Sequence, residues 1–263
     1  MDYSVSLVGL CVGFLVGLTG MGGGALMTPI MILLFGVPPI YAVGVDFVYS
    51  TITKALGTII HIRQKHVNFK IALYLSCGSI PAIILSTSLI QAMHKHHGEA
   101  ANALILHSIG VVLLIAAFFI LLKPFIMRRA KKIQYEQNKL THFGSKNKPL
   151  FVICTGATIG FIIGMTSIGS GSLIIVALAF LYPRLPMKEL VGTDIFQAFL
   201  LLFTGSLVYI FAGTINWHLV GSLLLGSLPG VFIGSKLTQR VPENFLRPIL
   251  AILLAITGVK LIL

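Results

Sequence analysis

Two aspartates and one lysine stand inside apolar sequence, where charge is costly: Asp46 in VGVDF, Asp194 in VGTDI, and Lys54 eight residues after the first aspartate. At such depth each must be hydrogen-bonded, hydrated, paired or neutralised. The aspartates suit structural anchoring of nearby donors or carriage of a coupling proton, and acid/base or metal work in a membrane enzyme is the alternative chemistry. Lys54 suits attraction of an anion into a cavity; the plainer reading is snorkelling or pairing with a neighbouring helix. Eight residues are about 12 Å of helix, too far for Lys54 to pair with Asp46 along one straight helix.

Beside these charges runs a glycine-rich stretch at 9–29, GLCVGFLVGLTGMGGGALMTP, which returns at 156–174 as GATIGFIIGMTSIGSGSLI. In both copies glycines four apart make a face that lets another helix approach closely. The glycine cluster that follows favours a break in the helix. Unpaired amides at membrane depth must be buried or line a wet cavity. At the opening of the next helical arm they form an anion cradle, helped by the positive helix end. The candidate substrate-binding residues are therefore Thr19, Gly22, Gly23 and Gly24 in the first copy, and Thr166, Ser167, Gly169, Ser170, Gly171 and Ser172 in the second, with Thr28 a further hydroxyl nearby. Close packing alone is the competing reading.

These residues need elements to hold them, and the elements repeat. At an offset of 147, then 148 after one inserted residue near Leu34, the pairs include Gly13/Gly160, Thr19/Thr166, Gly44/Gly192, Asp46/Asp194, Asn68/Asn216, Gly78/Gly226 and Pro81/Pro229. Lys54 breaks the pattern, because Leu202 stands at its equivalent position. We read a first membrane repeat at 1–126, a basic connector at 127–148 and a second membrane repeat at 149–263. The expected spans are 4–35 and 149–181, each with its break, and 41–62, 70–92, 101–122, 188–212, 217–236 and 245–262. Asn68 and Asn216 are expected to cap the helices that follow them.

The glycine-rich first segment, the GVDF and GTDI motifs, the HIRQKHVNFK and FAGTINWHL segments and the two-half plan resemble the TauE/SafE family of sulfite and sulfonate exporters. The resemblance spans nearly the whole chain apart from the central basic loop. It implies transport of a small sulfur-containing oxyanion or organosulfonate.

Composition reaches the same class without the resemblance. Apolar residues make up 56% of the 263 and charged ones only 10%, where a soluble domain carries about 25%. Long apolar runs close to the ~20 residues that cross a bilayer recur along the chain. Continuous rather than alternating apolarity excludes a porin-like barrel. The expected class is an all-α polytopic membrane protein, multi-pass in the plasma membrane, which is the cell inner membrane in a Gram-negative bacterium. A formal charge of +12 does not imply nucleic acid, since the basic residues lie between apolar segments as a topology signal does. Eight straight crossings would divide these residues about 12 to 6 between the two sides. If each broken segment instead enters and turns back, the repeats are inverted and sixteen of the nineteen Lys and Arg fall on one side, with Lys95 and Lys260 opposite and Lys54 within the membrane. That split fits an inside-positive bias better and puts 127–148 in the cytoplasm.

The expected function is secondary transport of a small anion with a proton as coupling ion. The alternatives are an integral-membrane enzyme using the aspartates and a non-transport packing or sensor protein. The expected partners are the lipid bilayer, the anion, a coupling proton and a second copy in a homo-oligomer. No cofactor or metal is expected: GMGGGA lacks the GK[ST] ending of a phosphate loop, and Cys11, Cys77 and Cys154 have no ligand spacing and read as small packing residues. His107 reads as a hydrogen-bonded core residue.

Overall fold

The computed structural model describes residues 3–19, 24–136, 148–168, 173–182, 185–237 and 243–263. Among them are ten helices and no strand: α1 (Tyr3–Thr19), α2 (Gly24–Phe35), α3 (Pro39–Arg63), α4 (Phe69–His96), α5 (Gly98–Glu136), α6 (Lys148–Thr166), α7 (Leu173–Leu181), α8 (Met187–Phe211), α9 (Trp217–Leu237) and α10 (Glu243–Ile262). Six of these are long and apolar enough to cross a membrane, namely α3, α4, α5 as far as Leu122, α6, α8 and α9. The protein is an all-α polytopic membrane protein. Asn68 caps α4 by accepting from the Ile71 amide at 3.3 Å. Asn216 does the same for α9, accepting from His218 at 3.1 Å and Leu219 at 3.2 Å; such a cap is worth about 1 kcal/mol. Pro81 and Pro229 sit inside α4 and α9 without ending them. Helix α5 continues past the expected end of its span through RRAKKIQYE, where Arg, Ala, Lys and Gln are good helix formers.

The glycine faces pack across the two halves of the chain. Gly9, Gly13 and Gly17 of α1 lie on the backbone of Leu223, Ser227 and Val231 of α9, and Gly226, Gly230 and Gly234 lie on Ser6, Leu10 and Phe14 in return. Gly156 and Gly160 of α6 rest in the same way on Leu75 and Ser79 of α4, Gly164 faces Ile83 and Ser86, and Gly78 faces Ile153. Among the described residues these are the two most extensive helix contacts, and both run parallel. A glycine removes the Cβ that would hold the backbones apart, so dispersion contacts form along whole helix faces.

Helices α3 and α8 run antiparallel. Gly44 packs near Tyr209 and Thr214 while Gly192 packs on His66, and Gly57 meets Ile195 while Gly205 meets Phe47. Each of these contacts has its counterpart at the 148-residue offset. In α5 and α10, Gly110 and Gly258 meet: a Cβ on either would lie 2.9 Å from the other's carbonyl oxygen.

These contacts fix where the broken segments go. The starts of α1, α3 and α9 share one end of the bundle, because Ser6 Oγ donates to the Ser222 carbonyl at 2.9 Å and Gly44 lies beside Thr214. The chain leaves that end along α1, so α2 brings it back to begin α3. The starts of α4, α6 and α8 share the opposite end through Gly78 on Ile153 and the Asn68 amide donating to Thr193 Oγ1 at 2.9 Å. Helix α7 likewise returns what α6 carried inward. Helix α6 is long enough to span, about 27 Å for 18 residues, yet the chain comes back after it.

Two expectations need correction. Cys11, Cys77 and Cys154 are exposed on the outside of the bundle rather than packed within it. His107 bonds the Ala103 carbonyl at 2.7 Å, but on an exposed face of α5 and not in the core. Both errors have one cause: an apolar run in a membrane helix includes its lipid-facing side, so apolar neighbours in sequence do not imply burial in protein.

Candidate functional site

The middle of the bundle is built on α3, whose 25 residues extend about 37 Å. Its apolar neighbours close round it: Val43, Val45, Phe47 and Tyr49 are fully buried. Buried among them are Asp46, Ser50, Lys54 and Thr58, polar residues four positions apart and so along one side of the helix, with Thr51 beside Ser50.

Asp46 has no exposed surface. One carboxylate oxygen accepts from Ser50 Oγ, one turn later on the same helix, at 3.3 Å. The other accepts from Ser167 Oγ, just past the end of α6, at 2.5 Å. Thr28 of α2 is also fully buried, and its hydroxyl faces the carboxylate without making a hydrogen bond. Asp46, in the first half, thus takes hold of the break in the second half. Ser167 adopts a left-handed backbone, φ +60°, directly after the last residue of α6. A non-glycine residue there is strained, and such strain clusters at functional sites.

Asp194, on α8, is 4% exposed, and Lys54 is 8% exposed. Thr58 Oγ1 donates to the Ile195 carbonyl at 3.5 Å, which sets Asp194 about one turn, or 6 Å, along the axis from Lys54. Asp46 lies about 12 Å from Lys54 on that axis. Accordingly the Lys54 ammonium feels both carboxylates, Asp194 more strongly. Its principal electrostatic partner comes from the other half of the chain, which spacing along a single helix does not show.

A second buried polar group joins α4 to α8. Ser76 Oγ donates to Gln197 Oε1 at 2.7 Å, and Gln197 Nε2 donates to Ser79 Oγ at 2.7 Å. Each polar group there is satisfied across the helix contact, as burial requires. Thr166 is fully buried; its hydroxyl donates to the Ile162 carbonyl at 2.9 Å and accepts from the Ile168 amide at 3.2 Å. Of the other candidate residues, Thr19 ends α1 and Gly24 opens α2, with side chains outside the description, while Gly22, Gly23, Gly169, Ser170, Gly171 and Ser172 lie outside the described residues. Among the described residues no group of three or more His, Cys, Asp or Glu could hold a metal ion.

The family profile described as "Sulfite exporter TauE/SafE" matches residues 5–261. The chain belongs to the TauE/SafE family. It is 42% identical to the probable membrane transporter protein YjnA of Bacillus subtilis, over the whole of both chains. The probable membrane transporter protein YdhB of the same organism is 26% identical, over 98% of this chain and 99% of its own. MJ0441 of Methanocaldococcus jannaschii, another probable membrane transporter, is 26% identical over 98% and 94%. No solved structure matches. Family and relatives point to membrane transporters rather than enzymes, and this TauE/SafE protein is a multi-pass transporter of the plasma membrane.

Of the polar residues buried here, sequence reasoning singled out the two aspartates, Lys54, Ser167 and Thr28. It missed Ser50, Gln197, Ser76 and Ser79. Ser50 was detectable, four residues after Asp46 and so on its face. Gln197 and its serines were not: they lie more than a hundred residues apart in the chain, and each alone reads as a tolerated small or polar residue.

Proposed function

We propose that this TauE/SafE protein is a secondary transporter of a small anion, a sulfur-containing oxyanion or an organosulfonate, and not an enzyme. The observation that carries this reading is Lys54: a lysine buried near the middle of α3 that feels carboxylates from both halves, Asp194 more strongly than Asp46. An ionisable side chain at such depth marks a candidate ion path, and an anion can take the place of the carboxylate that balances this lysine. The amides at the starts of α2 and α7 supply neutral donors on positive helix ends. The family's printed description, with its sulfite exporter, supports the sulfur-containing class.

Proton coupling runs through Asp194 in this reading. When an anion occupies Lys54, it takes the charge that balanced Asp194. The carboxylate is then a buried, uncompensated charge, and a proton relieves it. Anion and proton therefore bind together and leave together. In proteoliposomes of the purified protein, an inward proton gradient is expected to drive saturable uptake of one class among sulfite, thiosulfate, sulfonates and carboxylates. Uptake of none of them, alongside chemical conversion of one, would favour the enzyme reading.

The transport plan in this proposal is two inverted repeats, 1–126 and 149–263, joined by a cytoplasmic connector at 127–148. Antiparallel packing of α3 on α8, equivalent helices in the two repeats, supports inversion, because repeats related by an axis along the membrane normal would hold them parallel. The there-and-back courses of α1–α2 and α6–α7 support re-entrant segments, a recurring transporter design. On a background without Cys11, Cys77 and Cys154, a cysteine at Lys95 is expected to react with an impermeant thiol reagent added outside, and one at Lys139 only after lysis. Labelling from outside at Lys139 and not at Lys95 would reverse the orientation.

A further inference from the structure

We propose that Thr28, Asp46, Ser50 and Ser167 form a binding site for a sodium ion, distinct from the Lys54 and Asp194 pair assigned to the anion and proton above. Four side chains from three elements converge: Thr28 from α2, Asp46 and Ser50 from α3, and Ser167 from the end of α6. None is more than 1% exposed. Two of the hydroxyls already touch the carboxylate. The third, Thr28 Oγ1, is buried without a hydrogen-bond partner and faces Asp46. A buried hydroxyl left unsatisfied costs about 1–3 kcal/mol, and a cation held by Asp46 gives its lone pairs something to bind. The hydroxyl rotors turn freely, so Ser50 and Ser167 can offer oxygen lone pairs to an ion in place of their hydrogens.

The second half lacks this set. The residues equivalent to Thr28, Ser50 and Ser167 are Ile175, Ala198 and Gly20, so Asp194 keeps none of the three oxygens. The oxygens have been assembled at one carboxylate only, and are not a consequence of the repeat. Ser167 sits at the carboxyl end of α6, where the helix dipole favours positive charge. Broken-helix transporters place coupling cations at such ends. The charged and titratable groups near Asp46 are Lys54, which is drawn more strongly to Asp194, and the neutral phenol of Tyr49.

The donor set selects the ion. One carboxylate balances one positive charge. Calcium takes six to eight oxygens, commonly from several carboxylates, and magnesium keeps several waters, which a fully buried site does not supply. Sodium remains. Bound there, it ties the return arm of the first half and the break of the second to α3, and so stabilises the protein whether or not an anion is present.

The test uses the purified full-length protein without substrate, at fixed pH and ionic strength, with unfolding followed by Trp217 fluorescence in sodium, potassium or choline chloride. Sodium is expected to raise Tm saturably over choline, with potassium far weaker. Thr28→Val, which keeps the shape and removes the oxygen, is expected to raise the sodium midpoint about tenfold or more, corresponding to loss of one good ligand. Asp46→Asn is expected to abolish the sodium response. Thr51→Val, a hydroxyl on α3 that bonds the Phe47 carbonyl instead, leaves the midpoint unchanged. Equal Tm in sodium and choline overturns the proposal, as does an unchanged midpoint in Thr28→Val. A Tm that follows pH and ignores sodium assigns the site to a proton, and overturns it too. None of these outcomes depends on which anion is carried.

Discussion

Lys54→Leu is expected to abolish anion transport, lowering the rate at least about a hundredfold, and to destabilise the protein more than the double variant Lys54→Leu with Asp194→Asn. The substitution places in the first half the residue that the second half already has at Leu202, which is itself fully buried, so the shape is one the bundle accepts. What changes is charge. Removing one member of a buried pair leaves the other uncompensated, at a cost of about 3–5 kcal/mol. Because Asp194 is the stronger partner of Lys54, neutralising Asp194 returns most of that loss. Neutralising Asp46 in the same background is expected to return little, since Asp46 has hydroxyl partners of its own. The double variant stays inactive, because stability is restored without the cation that receives the anion. The check is a double-mutant cycle in Tm alongside liposome uptake. If Asp46→Asn were the better rescue, the assignment of partners would be reversed. Transport at the ordinary rate by a folded Lys54→Leu protein would remove Lys54 from the anion path.

How much of this was legible in the sequence follows from which interactions are local. Helix class, the caps at Asn68 and Asn216, and the helix ends flanking both breaks depend on neighbours within a few residues, and all are readable from spacing. The Asp46–Ser50 contact is local as well. The partners of the glycine faces are not. Gly9, Gly13 and Gly17 announce that some helix comes close, but α4 and α9 carry matching small residues, Gly78, Ala82 and Ser86 against Gly226, Gly230 and Gly234. Sequence alone gives no reason for α1 to choose the α9 of the other half over the α4 of its own. The crossing of Lys54 to Asp194 was hidden for the same reason. It depends on α3 and α8 running antiparallel in register, with Gly57 against Ile195 and Gly205 against Phe47, and that register is a property of the assembled bundle.

Gly160→Leu is expected to prevent recovery of folded, monodisperse protein, whereas Gly221→Leu is expected to leave yield and Tm nearly unchanged. Both glycines lie within helices, so loss of backbone freedom cannot separate them, and leucine is the better helix former at each by somewhat less than the ~1 kcal/mol that separates glycine from alanine. Surroundings separate them. A Cβ on Gly160 would lie 2.5 Å from the Ser79 carbonyl oxygen and 2.7 Å from the Ser79 Cα, both backbone atoms with no rotamer to change; at Gly221 nothing stands within 4 Å. Accommodating even a methyl at Gly160 moves α6 away from α4, and that contact is continuous from Leu75 past Ile83, so the loss propagates along the helix. Overpacking a core commonly costs about 1–3 kcal/mol, which sets the expectation for Gly160→Ala; the remaining leucine atoms take Gly160→Leu beyond that. Separation of α6 also withdraws Ser167 from Asp46, so residual folded Gly160→Ala is expected to lose transport beyond its loss of stability. Fluorescence-detected size exclusion and Tm for Gly160→Ala, Gly160→Leu and Gly221→Leu measure the series. Equal behaviour of the two leucine variants would mean that the close approach of α6 to α4 is not what holds the second half's broken segment in place.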